Sequence, residues 1–116
     1  MTVTTPTPIY RIEFFLDAVV NSSENTLDPI SPLELYLAKL AGRDVDIPAE
    51  PVTRLERYFA KLCEQEVDIP TPKFREEYYM AKVCGEDVPL QPPIFRVEMW
   101  LAKWAGFEYP DEDEGD

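Results

Sequence analysis

Residues 51–70 read Pro-Val-Thr-Arg-Leu-Glu-Arg-Tyr-Phe-Ala-Lys-Leu-Cys-Glu-Gln-Glu-Val-Asp-Ile-Pro, and this phrase is written five times along the chain. Aligned on one glutamate, the copies place Glu13, Glu34, Glu56, Glu77 and Glu98 in one column, at spacings of 21, 22, 21 and 21 residues. Two residues later stands an aromatic side chain in every copy: Phe15, Tyr36, Tyr58, Tyr79 and Trp100. Five residues before the glutamate stands a proline: Pro8, Pro29, Pro51, Pro72 and Pro93. Three further columns hold in four copies: an arginine (Arg11, Arg54, Arg75, Arg96), an alanine (Ala38, Ala60, Ala81, Ala102) and a lysine (Lys39, Lys61, Lys82, Lys103). A fixed period of this length means repeated supersecondary units stacked on one another.

Within each unit the apolar residues fall at helical spacing. In the second copy Leu33, Tyr36, Leu37, Leu40 and Ala41 form one stripe. Ser31-Pro32-Leu33-Glu34 is a capping box with proline at the first helical position, where its missing N–H costs nothing. Thr53 and Glu56 repeat the box in the third copy. The other copies replace the cap residue by Tyr10, Phe74 and Phe95, for which the expected role is a hydrophobic staple, while Glu13, Glu77 and Glu98 still favour the first turn by charge. Gly42, Gly85 and Gly106 stand where a left-handed C-cap residue belongs, and Glu64 occupies that slot in the third copy. Between helices, stretches such as Val45-Asp-Ile47 and Val67-Asp-Ile69 alternate polar and apolar residues and read as extended.

The fold expected is therefore all-α: an array of five short single-helix repeats of about 21 residues joined by extended, proline-rich linkers. The organisation is an N-terminal arm (1–5), repeats at 6–27, 28–48, 49–70, 71–91 and 92–110, and an acidic tail (111–116) expected to be disordered because like charges repel. A linker of about nine extended residues reaches roughly 30 Å, against about 15 Å for a ten-residue helix. It can return along its helix to start the next one parallel, giving a solenoid, or continue outward along a partner. A single repeat buries only a handful of side chains against on the order of 1.5 kcal/mol of ordering entropy per residue, and an array with two open ends is expected to self-associate or dock on a larger assembly. In such an array Phe15, in a terminal repeat, has one neighbour where Tyr58 has two.

Composition narrows the function. Net charge is -12, from 23 acidic and 11 basic residues, which argues against holding a phosphate backbone and favours neutral or basic partners. No apolar run approaches 18 residues and no signal-peptide pattern is seen, so neither membrane nor export is expected. The chain has no histidine, and its two cysteines, Cys63 and Cys84, share a column with Ala41 and Ala105; they read as small packing residues rather than zinc ligands. No phosphate-binding loop and no nucleophile with a base is found, so neither an enzyme nor a cofactor site is expected. The residues singled out are the aromatic column and the arginine column, for packing between repeats or contact with a protein, and Glu13, Ser31, Glu34, Thr53, Glu56, Glu77 and Glu98 for helix capping. An arginine in a first helical turn opposes the helix dipole and needs an offset. The sequence offers stacking on the aromatic four residues on, carboxylates of the preceding linker such as Asp44 or Asp46 for Arg54, or a clasp between repeats.

The phrases at 51–62, 31–42 and 97–106 resemble the tandem P-x-T-R-x-E-x-Y-L-A-K-x-A-G repeats of virion proteins of phages that infect Firmicutes, often described as head fibre or minor structural proteins. The resemblance runs from Pro6 to Pro110. It implies a non-enzymatic structural part of a virion, made in the host cytoplasm. Such a part is a capsid-bound decoration, head-fibre or anchoring protein bound to the major capsid or a neighbouring structural protein; homo-oligomerisation is expected separately, from the small core and open ends of the array. The alternatives are an intracellular adaptor or assembly factor, and an acidic DNA mimic.

Overall fold

A computed structural model describes residues 1–110; the acidic tail lies outside the described residues. Five helices carry the five repeats: α1 (Arg11–Val20), α2 (Pro32–Leu40), α3 (Arg54–Leu62), α4 (Arg75–Val83) and α5 (Arg96–Trp104). The fold is all-α, with five single-helix repeats. Each start follows the local chemistry. Ser31 and Thr53 accept from the N–H of Glu34 and Glu56 at 3.3 and 3.2 Å, and Pro32 opens α2. Tyr10, Phe74 and Phe95 hold the same extended N-cap backbone without a side-chain cap. Their rings are 60%, 56% and 61% exposed, so they do not act as the expected staples.

The last four helices end in the same double hydrogen bond. In α2 the N–H of Gly42 reaches Lys39 O and that of Arg43 reaches Ala38 O, both at 3.0 Å, which satisfies two of the carbonyls the helix leaves without partners. The turn requires a left-handed residue: Gly42, Gly85 and Gly106 take φ of 92°, 100° and 81°, and Glu64 is forced to 70°. The alanine column supplies the accepting carbonyl and is itself fully buried in α2 to α5.

The helices lie parallel, because matching turns of neighbours meet. Between α5 and α1, Arg96 at the first turn bonds Glu13, Trp100 in the middle bonds Asp17, and Lys103 at the last turn bonds Asn21. These contacts also show that the array is closed. Each helix packs on two others: α1 on α2, α2 on α3, α3 on α4, α4 on α5, and α5 back on α1. The termini complete the ring. Met1 and Tyr109 exchange hydrogen bonds, Thr2 and Glu108 form an antiparallel bridge, and Val3 is buried in the core. The N-terminal arm is thus a paired segment rather than a free one, and the open ends from which self-association was expected are joined to each other.

Inside the ring, Phe15, Tyr36, Tyr58, Tyr79 and Trp100 are each 1% exposed or less. The adjoining column, Leu16, Leu37, Phe59, Met80 and Leu101, belongs to the same cluster, and Phe59 meets Trp104 across the ring at 5.9 Å between centroids. The linker residues Val45, Ile47, Val67, Ile69, Val88 and Leu90 pack against this core from outside. The extended linkers therefore return along their helices.

Closure changes one expectation directly: Phe15 has neighbours on both sides, as Tyr58 does. Phe15→Ala and Tyr58→Ala are expected to lose comparable stability in urea unfolding, about 3 kcal/mol or more each. Glu64→Gly should raise stability by about 1 kcal/mol, because it removes the left-handed strain of a residue with a Cβ; an unchanged midpoint would show that the strain is not there.

Candidate functional site

The seams between repeats are built from the two charged columns together. Arg11, the first residue of α1, donates from Nε and Nη2 to both carboxylate oxygens of Glu34 in α2, at 3.2 and 3.0 Å, and from Nη2 to Asp28 O at 2.6 Å. Arg54 treats Glu77 and Thr71 O in the same way, at 2.9, 2.8 and 2.7 Å. Arg75 repeats it on Glu98 and Pro92 O at 2.9, 3.0 and 2.8 Å. Arg96 closes the ring on Glu13 and Thr7 O at 2.8, 2.8 and 2.7 Å. Bidentate pairing of this kind fixes both distance and orientation.

The arginine clasps the following repeat, so neither the preceding linker nor Asp44 or Asp46 holds Arg54. Stacking on the arginine's own aromatic column is seen among the described residues for Arg11 alone, 5.9 Å from the Phe15 centroid. The glutamate has two duties that the sequence reading assigned only in part. Its Oε1 also accepts the N–H four residues earlier, from Ile9, Ile30, Val52, Lys73 and Ile94, at 2.8 to 3.0 Å. One carboxylate thus caps its own helix and offsets the unfavourable arginine at the head of its neighbour.

Hydrogen bonds from Arg96 and Arg54 hold Glu13 and Glu77 below the usual carboxylate range, against burial. In Glu34 and Glu98 burial is the largest influence and acts upward, but the arginine and the backbone N–H outweigh it and these groups are also lowered. The aromatic column is anchored similarly. Tyr58 and Tyr79 donate to Pro70 O and Gln91 O at 2.6 Å, and burial pushes the Tyr58 hydroxyl up to about 12.

Two residues of the closing seam went unassigned in the sequence. Asp17 accepts the Trp100 indole N–H at 2.9 Å, and Asn21 meets Lys103. The signal was present: Asp17 departs from the alanine column in the first repeat, and Trp100 is the one indole of the aromatic column. Cys63 and Cys84 are free thiols at helix C-caps, donating to Tyr36 O and Tyr58 O at 3.6 and 3.5 Å, with Cys84 raised to about 11 by burial.

The aromatic column is inside, and the large apolar side chains in solvent are another set of residues. All five helices begin at one end of the ring. There Ile9, Tyr10, Ile30, Val52, Phe74, Ile94 and Phe95 stand from 56% to 83% exposed, at the two positions that precede each helix. They form an apolar crown around one end of an acidic molecule. Among the described residues no helix is long and apolar enough to cross a membrane, and no group of His, Cys, Asp or Glu is arranged to hold a metal ion. Comparison of the chain with protein-family models, with curated proteins and with solved structures gives no match.

The depressed carboxylates set the acid limit of the ring. A carboxyl whose folded value is lowered stabilises the fold above its unfolded value, near 4.3 for glutamate, and loses that contribution as pH falls through the folded value. Stability to urea is expected to be flat above about pH 5 and to decline below about pH 4. Glu13→Gln should be less stable than wild type at pH 7, with a smaller decline in acid; an identical decline in both proteins would show that this carboxylate does not titrate with unfolding.

Proposed function

We propose that the chain is a non-enzymatic structural component of a phage virion, a capsid-bound decoration, head-fibre or anchoring protein. It docks on the major capsid or a neighbouring structural protein through the crown at the helix N-terminal end. The observation that carries this is the concentration of exposed apolar side chains at one end of the ring. Large exposed apolar side chains collected at one end of a molecule point to an interaction site. The crown is presented by N′ and N-cap backbone that the glutamates pin in place, so it is organised before any partner arrives.

The buried columns support the same reading. Four of the five glutamates and all four arginines of the repeat motif are used in holding the ring together. The aromatic column serves the core, and contact with virion proteins falls to the crown instead. Self-association, where it occurs, would use this apolar end too.

Mass spectrometry of purified particles is expected to find the chain as a stoichiometric component. The double variant Ile30→Asp, Phe95→Asp should fold and melt as wild type, since both side chains are in solvent, but be lost from particles. Retention of that variant, or absence of the wild-type chain from particles, would refute the reading.

A further inference from the structure

One seam differs from the other four. The arginine column of the second repeat is occupied by Pro32, so α2 sends no guanidinium to α3. Glu56 nevertheless keeps the column's geometry. It is 8% exposed, Oε1 accepts the Val52 N–H at 3.0 Å, and no cation pairs with it among the described residues. The other four glutamates each meet an arginine through both oxygens.

A second observation points to the same place. The Tyr36 hydroxyl is buried and has no hydrogen-bond partner, whereas Tyr58 and Tyr79 donate to linker carbonyls. The carbonyl at the corresponding linker position, Pro48 O, accepts from Gln65 instead. Burial raises the Tyr36 hydroxyl, and the charge of Glu56 acts in the same direction. The corresponding pair in the α4–α5 seam is Tyr79, whose hydroxyl donates to Gln91 O, and Glu98, which Arg75 holds. A buried carboxylate without a cation and a buried hydroxyl without a hydrogen-bond partner are each costly, and one cationic donor that reaches both relieves them together.

We infer that the α2–α3 seam is a receptor for the arginine side chain of a protein partner, whose guanidinium takes the place that Arg11, Arg54, Arg75 and Arg96 take in the other seams. Its two N–H edges bond the Glu56 carboxylate, its outer nitrogen bonds Glu50 O, which corresponds to Asp28, Thr71, Pro92 and Thr7 O, and the Tyr36 hydroxyl completes the site. Glutamate with a planar fork of carbonyl and carboxylate acceptors selects guanidinium over the point charge of an ammonium. Ile30 and Val52, 74% and 83% exposed, flank the seam, so the arginine is set among apolar residues of the partner. The net charge of -12 favours a basic partner. This inference does not depend on the virion reading; it concerns the isolated ring.

The test uses the purified chain and three peptides, acetyl-Leu-Arg-Leu-amide and its lysine and citrulline counterparts. Titration followed by amide NMR is expected to shift Val52, Glu56 and Tyr36 with the arginine peptide, at least fivefold more weakly with lysine, and not with citrulline. Glu56→Gln, and Pro32→Arg, which fills the seam from within, should each weaken binding at least tenfold. As a readout free of ligand, Pro32→Arg is expected to melt higher than Pro32→Ala, and that difference should vanish when Glu56→Gln is added. Absence of localised shifts with the arginine peptide, equal binding by lysine, or binding untouched by Pro32→Arg would overturn the inference. So would equal melting of Pro32→Arg and Pro32→Ala. Binding that requires a second copy of the chain, seen as peptide-displaced dimerisation, would overturn the assignment to a foreign partner.

Discussion

Four of the five seams of this ring depend on one bidentate contact, the arginine at the head of one helix against the glutamate three residues into the next. Alone, the arginine would weaken its helix by opposing the dipole, and the buried glutamate would bear the cost of desolvation. Placed together across a seam, each removes the other's penalty. The geometry they impose, two parallel N–H···O bonds plus a bond to a carbonyl of the segment leading into the glutamate's helix, sets the rotation and offset between neighbouring helices. Repetition of that step generates the fold.

The seam also accounts for how the molecule divides its labour. Capping, clasping and burial occupy the glutamate, arginine, alanine and aromatic columns, whereas the apolar side chains at the two positions before each helix, Ile9, Tyr10, Ile30, Val52, Phe74, Ile94 and Phe95, stay in solvent. The lysine column, exposed on α2 to α5 at the last helical turn, lies at the opposite end, where cations complement the helix dipole. The ring is consequently polarised, with exposed apolar side chains at one end and lysines at the other. The α2–α3 seam belongs to the apolar end, and Pro32 is what distinguishes it from its four counterparts.

Much of this was legible in residues alone. Helix starts at Ser31-Pro32 and Thr53, ends at Gly42, Gly85 and Gly106, and the inward aromatic column all rest on contacts within a few residues, where spacing reports geometry directly. The exposure of Phe74 and Phe95 was misread because a staple needs a neighbour to pack against, and both rings stand in solvent. The partner of each arginine was left among several options for a similar reason: a guanidinium reaches carboxylates before and after it in sequence, and only the packing of the next helix selects between them.

The sequence by itself determined five parallel-capable helices, their boundaries, their buried faces and a common chemistry at every start, because each is fixed by local hydrogen bonding and by apolar periodicity. Only the tertiary structure decided that the fifth repeat returns to the first. Ring closure is set by the angle accumulated over successive seams, a property of packed side chains that no single repeat carries. Arg96 and Glu13 are 83 residues apart and make the same contact as pairs separated by 23. The Asp17–Trp100 bond and the paired termini then hold the joint that the angle brings together.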